Sequence, residues 1–503
     1  MNRDNRWDVL VAGAGPTGLV LALWLTRLGV RVRIVDKTDG IGTTSRALVV
    51  HARTLEFYEQ LGIAEQVVAR GRKFGGVHLW SHGAARGHVV LGDIGADLSP
   101  FPYMLIFPQD AHERLLVDAL HAAGVEVERR TELAAFTATD DAIVATLRRP
   151  DGAEESCVTS YLAGCDGAHS TVRHGLDVGF AGDAYAHLFY VADVQAGGPV
   201  MNGDLNLALD TSDFLAVFPL PGEGNARLIG TIERGSEDDQ RALRWEDVSR
   251  GVLDHLPLEI RHVNWFSTYH VHHRVAARFR AGRAFLLGDA AHIHSPVGGQ
   301  GMNTGIGDAV NLAWKLALVI EGRADDRLLD TYEPERIAFA RRLVATTDRA
   351  FTFVTRDGSI ARVVREDVAP RVIPELLHAE VARRFLFKTV SQIEIEYRDS
   401  ALSIGKAGSA HGGDRLPWMG RNFEALQSLQ WQAHVYGEAS DALVELSREL
   451  ALALHVFPRD SRNAGIPAGT LLLVRPDGYI ALADPTADAE RLRSYFIARC
   501  LAL

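Results

Sequence analysis

The chain has 503 residues, 47% of them hydrophobic, with 53 basic against 64 acidic side chains and a formal net charge of −11. That length supplies two or three domains and a large core, and an acidic chain with no basic block is a poor fit to nucleic acid or an anionic membrane. No apolar run reaches transmembrane length, no secretory leader pattern precedes Val9, and Cys157, Cys165 and Cys500 form neither a C-x-x-C pair nor a disulfide framework, so a cytoplasmic setting is expected.

The apolar run from Trp7 to Ala12 predicts a strand, Gly13-Ala14-Gly15-Pro16-Thr17-Gly18 a tight turn, and Leu19 to Leu28 a helix closed by Gly29. Glycines at the three motif positions permit the turn, admit a pyrophosphate to backbone N–H groups and let the helix pack closely on the strand; the helix N-terminus adds partial positive charge. Arg31 to Val35 follows as a second strand, ending in Asp36 and Lys37. A carboxylate at that distance beyond the motif suits the hydroxyls of an adenosine ribose, and Lys37 is counted beside it as a cofactor-binding residue.

Cys165-Asp166-Gly167-Ala168-His169-Ser170-Thr171-Val172-Arg173 then reads as a strand end, a turn and a helix start. Between 181 and 281, stretches such as Phe189 to Val194, Leu205 to Leu209 and Phe214 to Phe218 alternate with period two and predict antiparallel strands. His270 and His272 would face one side of such a strand and His273 the other, with no acidic or cysteine ligand at a recognised spacing, so no metal centre is expected. A further apolar strand, Ala284 to Leu287, runs into Gly288-Asp289-Ala290-Ala291-His292. The run Ser295-Pro296-Val297-Gly298-Gly299-Gln300-Gly301-Met302-Asn303 feeds a helix from about Thr304 to Glu321. An acid at a strand end accepts from sugar hydroxyls, and a loop rich in Pro and Gly is rigid yet closely approachable.

These three segments, in this order, resemble the motifs of the class A flavoprotein monooxygenases, the family of para-hydroxybenzoate hydroxylase and phenol hydroxylase, and within it the bacterial aromatic polyketide hydroxylases. The resemblance covers the whole chain. It implies an α/β fold: a Rossmann-type FAD-binding domain (1–75, 102–180 and 282–345) and an inserted antiparallel β-sheet substrate domain (76–101 and 181–281). A helical connection (346–404) would lead to a thioredoxin-like C-terminal domain without C-x-x-C (413–503). Gly13, Gly15, Pro16, Thr17, Gly18, Asp36 and Lys37 would hold the adenosine diphosphate half of FAD. Gly288 and Asp289 would hold the ribityl chain, and Pro296, Gly299, Gly301, Met302 and Asn303 would border the isoalloxazine ring. Arg46 resembles the arginine beside the flavin; Gln109 and, one helical turn on, Arg114 resemble FAD contacts. Asp166 belongs to the motif serving both FAD and the nicotinamide. No catalytic side chain is assigned, since Pro296 and Arg46 only border the flavin.

Within the C-terminal part, the sequence predicts a strand near Trp431–Val435, a helix over 439–453, and two strands joined by a Pro476-Asp477-Gly478 turn. Helices are expected over 330–349 and 375–387, and 405–417, with four glycines, is the most linker-like stretch. The activity implied by the resemblance is hydroxylation of a phenolic or polyketide-type aromatic substrate by NAD(P)H and O2 through a flavin C4a-hydroperoxide, with possible homodimerisation. A single G-x-G-x-x-G favours transient docking of NADPH or NADH. The rival readings are a flavin halogenase or other flavin oxidoreductase, whose W-x-W-x-I-P signature is absent, and a non-catalytic Rab escort-type lipid-binding module, which has no need of Asp289 and the Gly299-to-Asn303 loop.

Overall fold

The computed structural model describes residues 6–42, 47–81, 83–91, 95–208, 215–232, 243–248, 251, 253, 256–295, 297–355, 379–458 and 465–502. A mainly parallel sheet, most apolar in its central strands, runs in the order Arg280–Ala281, Ala284–Leu286, Glu154–Gly164, Trp7–Ala12, Val32–Asp36, Val127–Arg129. Strands buried on both faces carry no polar alternation, because helices cover each side. The helix Pro16–Arg27 buries Gly18 through Leu25, and Gly301–Ile320 is buried almost all round. Pro16 stands in the first turn, where its missing N–H costs no hydrogen bond.

A second sheet runs in the order His292–Ile293, Glu259–Ala276, Phe180–Gly197, Asn225–Ile232, Leu215–Pro219, Leu205–Ala208, Gly76–Ser81, Ala84–Val90. Its two longest strands, Glu259–Ala276 and Phe180–Gly197, are neighbours of 18 residues each. The Gly76–Ser81 strand pairs parallel with Leu205–Ala208, so segments far apart in sequence share one sheet. The edge strand His292–Ile293 follows directly on Gly288-Asp289, so this sheet is tied to the candidate site through the backbone.

Several expectations need correction. The helix predicted from Thr304 starts at Gly301, so Gly301, Met302 and Asn303 form its first turn rather than its approach loop. The helix predicted over 375–387 is Glu380–Val390, with 375–378 outside the described residues. The helix predicted over 439–453 is Asp441–Glu449. Ala451, at φ +52°, turns the chain out of it, and Ala453–Phe457 becomes a strand parallel to Gln432–Tyr436. The linker expected over 405–417 contains the strands Ile404–Ala407 and Ala410–His411, the first paired with Ile480–Asp484. Its glycines serve close approach: a Cβ on Gly405, at φ +81°, would lie 2.3 Å from the Ala483 carbonyl oxygen, and one on Gly412 would lie 2.4 Å from the Ile404 nitrogen. The six-stranded C-terminal sheet therefore begins before 413.

This sheet is joined by buried charge to the helices Gly301–Ile320 and Tyr332–Thr355. Arg475 grips both oxygens of Glu335 (2.8 and 3.0 Å) and both of Asp477 (3.0 and 2.5 Å). Lys315 donates to Glu335 at 2.8 Å and to Asn311 at 2.9 Å, and the Trp314 indole donates to Asp477 at 3.1 Å. All four charged side chains are at most 1% exposed, and two cations balance two anions. Among the described residues no helix is long and apolar enough to cross a membrane.

Candidate active site

The parallel order of strands sets the candidate motifs side by side at the carboxyl edge of the first sheet. Leu287 donates to the Gly164 carbonyl at 3.0 Å, Cys165 to that of Ala12 at 2.8 Å, and Gly13 to that of Val35 at 2.8 Å. Each strand thus hands its motif to the same edge, the place where α/β sheets bind ligands.

The three glycines of the first motif have different tasks. Gly13 sits at φ +100°, and a Cβ there would lie 2.3 Å from the Cys165 carbonyl oxygen. At Gly18 a Cβ would lie 2.0 Å from the Gly13 carbonyl oxygen. Gly15 has nothing within 4 Å of its Cβ position, so its lack of a side chain leaves space for something other than this chain. Thr17 wedges between the motifs: its hydroxyl oxygen would lie 2.7 Å from a Cβ on Gly288 and 2.3 Å from one on Gly305.

Charge is arranged around that space. Asp36 accepts from the Ala14 N–H at 2.6 Å and from the N–H and hydroxyl of Thr38 at 2.8 and 2.6 Å. Lys37 and Asp289 are exposed at the same edge, and Gly288 is buried. Asp166 accepts from the Val172 N–H through Oδ2 at 3.1 Å, while its buried Oδ1 has no partner. Burial pushes its carboxyl above the usual range. No side chain caps the N-terminus of the helix starting at Pro16 or of that starting at Gly301. Uncapped helix N-termini, open space at Gly15 and a buried oxygen lacking a partner fit a dinucleotide bearing a pyrophosphate and sugar hydroxyls.

In the second loop Gly298 and Gly299 hold φ of +79° and +63°, and a Cβ on Gly299 would press on Val49 at 3.0 Å. Asn303 staples the loop to the neighbouring chain. Its amide donates to the Val49 and Gly299 carbonyls at 2.9 Å each, and its oxygen accepts from the His51 N–H at 3.0 Å and the Thr54 hydroxyl at 2.8 Å. Met302 packs against the main core. Gln109 donates to Glu113 at 2.6 Å; Arg114, 59% exposed, pairs with Asp110 at 2.5 Å on the same helix. Arg46 and Pro296 lie outside the described residues.

The chain matches the family described as FAD binding domain over residues 6–347. It is 35% identical to 6-methylpretetramide 4-monooxygenase of Streptomyces rimosus, over 94% of this chain and 90% of that one. It is 31% identical to pentachlorophenol 4-monooxygenase of Sphingobium chlorophenolicum, over 93% and 86% respectively. The chain belongs to the class A flavoprotein monooxygenases. The solved structure of OxyS anhydrotetracycline hydroxylase from Streptomyces rimosus matches with a TM-score of 0.78 and 28% identity, covering 99% of this chain and all of that one. FAD is the cofactor of this monooxygenase.

Sequence reasoning missed the residue behind the glycine-rich loop, Asp308. Fully buried, it accepts from the Gly288 N–H at 3.0 Å, His292 Nε2 at 2.7 Å and Arg336 Nε at 2.6 Å. Burial pushes its carboxyl up, but Arg336 and His292 outweigh this and hold it below the usual range. A carboxylate within a helix buried almost all round was the available signal.

Two more buried groups border the loop of the monooxygenase. His51 donates from Nε2 to the Gly298 carbonyl at 2.9 Å, and His294 from Nδ1 to the Ser295 carbonyl at 2.8 Å, leaving His294 Nε2 buried without a partner. Burial holds both rings neutral, lowering each from 6.5 to about 4. The unfolded chain takes a proton at each ring below 6.5 while the folded one refuses it, so stability is full above 6.5 and lost as pH falls toward 4. At full effect each ring removes roughly 3 kcal/mol. We expect the urea midpoint to fall steeply between pH 6.5 and 4.5, with His294→Gln flattening the profile; a midpoint independent of pH over that window would contradict it.

Proposed function

We propose that this monooxygenase hydroxylates a phenolic or fused polyketide-type aromatic ring, using NADPH or NADH as transient reductant. The observation that carries the reading is the open, uncapped edge where the Gly15 turn, Asp166 and Gly288-Asp289 meet. The names of its relatives supply the substrate class: 6-methylpretetramide, pentachlorophenol and anhydrotetracycline are what those proteins act on.

A bound reduced flavin would supply the oxygen-transfer chemistry at an electron-rich ring carbon. The protein binds, orients and shields. Asp289 and Asp36 accept sugar hydroxyls, Gly15 admits the pyrophosphate, and Asp166 Oδ1 takes a hydrogen bond from the ligand. The uncapped first turn at Gly301, Met302 and Asn303 would offer its N–H groups and positive dipole end to negative charge on a bound flavin. Arg46 and Pro296 border the flavin in this reading, Lys37, Gln109 and Arg114 lie along the FAD, and the second sheet forms the floor of the substrate pocket.

The balance is one O2, one NAD(P)H and one proton consumed for one new hydroxyl and one water. Under labelled dioxygen, with a panel of phenols and polyketide aromatics, the product gains one labelled oxygen ortho or para to an existing hydroxyl. Product oxygen drawn from solvent, or a product merely dehydrogenated, would remove the chain from this reaction.

A further inference from the structure

A second polar constellation lies away from the flavin edge, on the outermost strands of the second sheet. The strands Gly76–Ser81 and Ala84–Val90 run antiparallel with His78 directly opposite His88. On the other flank the strand Leu205–Ala208 pairs with the same Gly76–Ser81 strand, setting Asn206 beside His78, and Asp204 immediately precedes it. Three adjacent backbone segments therefore bring two imidazoles and one carboxylate together. The rings stack with centroids 3.9 Å apart and planes 6° from parallel. Both Nε2 atoms converge on a single oxygen, Asp204 Oδ2, at 3.3 and 3.5 Å.

We propose that His78, His88 and Asp204 bind a divalent transition-metal cation of the zinc class, which clasps this sheet edge. Zinc with bonds of 2.0–2.1 Å to nitrogen and oxygen holds tetrahedral ligands about 3.4 Å apart, the spacing of each imidazole nitrogen from the carboxylate oxygen here; because the stacked rings lie in near-parallel planes, the half-exposed His88 ring would turn as the metal enters so that both Nε2 lone pairs meet it in plane. The carboxylate is already oriented: Oδ1 accepts the N–H groups of Gly75 and Gly76 at 3.0 Å each, which leaves Oδ2 turned to the rings. Space for His88 is provided by Gly76, where a Cβ would lie 2.4 Å from His88 Nε2. Side-chain exposures of 22, 43 and 23% for His78, His88 and Asp204 give a cation a way in and leave room for a water as fourth ligand.

Among the described residues this is the group whose three ligand atoms fall within 4.8 Å of one another; the run His270 to His273 does not assemble one. Strand alternation separates the site from the flavin. Val77 and Val89 face the cluster that contains Val49 and Ile106, next to the flavin loop, so His78 and His88 project from the opposite face. Two nitrogens and one oxygen favour zinc over magnesium, which prefers six oxygens.

The test is equilibrium dialysis of the FAD-loaded full chain against zinc chloride with metal analysis, alongside His78→Ala, His88→Ala and Asp204→Asn. The chain holds 20 histidines, so the readout is the difference between proteins. Wild type should bind one more zinc equivalent than each variant, or bind it at least tenfold tighter, and zinc should raise its thermal midpoint but not theirs. FAD content and circular dichroism of the half-exposed His88→Ala show that the variant is folded. Equal zinc binding by wild type and His88→Ala, or displacement of the zinc by equimolar magnesium, would overturn the proposal.

Discussion

Gly15→Val should fold as the wild type does and come off the column colourless. The Gly15 backbone, at φ −76° and ψ 179°, is extended and open to a β-branched residue, and no atom of the chain lies within 4 Å of the added Cβ. The valine methyls would instead fill the space assigned to the pyrophosphate. Asp289→Ala should act on the other half of the cofactor. Its side chain is exposed, so folding loses little, but removing a charged acceptor of hydroxyls costs about 1.5–3 kcal/mol, roughly 10- to 100-fold in FAD affinity. Gly13→Ala and Gly18→Ala form the contrast. Their new Cβ atoms would strike backbone oxygens at 2.3 and 2.0 Å, so these variants should fail in folding rather than in binding. Flavin absorbance and circular dichroism on the four purified proteins separate the cases. Full flavin occupancy in both Gly15→Val and Asp289→Ala would break the assignment of the two half-sites.

Arg475→Ala should be among the most destabilising single changes, although it lies in the C-terminal sheet. The substitution strands Glu335 and Asp477 in a dry interior, with Lys315 left on Glu335 and the Arg53 guanidinium, which donates to the Asp477 carbonyl, as the nearby compensating cations. Breaking a buried ion pair by removing one partner costs about 3–5 kcal/mol, because the remaining charge keeps its desolvation penalty. For a chain of 503 residues that corresponds to a fall in thermal midpoint of roughly 3–5 °C. Arg475→Lys keeps the charge but gives up the paired contact with both Glu335 oxygens and should lose an intermediate amount. The FAD-loaded fraction that stays folded should turn over at the wild-type rate, because these groups touch neither of the loops assigned to the flavin. An unchanged thermal midpoint in Arg475→Ala would show that the network contributes no net stability; slow turnover in folded, loaded protein would show that it reaches the chemistry.

By itself, the sequence determined the parts of this protein whose chemistry is local. A turn with Gly at 13, 15 and 18 after an apolar strand, a carboxylate at the next strand end, and Gly288-Asp289 before a glycine-rich loop each state their geometry within about ten residues. They were readable because the backbone conformation and the residue type demand one another. Alternation likewise marked the strand at Leu205, where buried and part-buried residues take turns, whereas the apolar run Phe189 to Ala192 is buried on both faces. Only the tertiary structure decided what depends on partners distant in sequence. Arg475 meets Glu335 across 140 residues, Asn303 joins His51 across 252, and His78 and Asp204 converge across 126. Neither partner carries a local signature, because a buried arginine and an exposed one have the same neighbours in sequence. The glycines of 405–417 make the same point. They read as a linker because glycine is permissive, and they are strand and turn because backbone from Ala483 and Ile404 approaches too closely for any side chain. Close approach is a relation between segments, and it exists only once the sheet has formed.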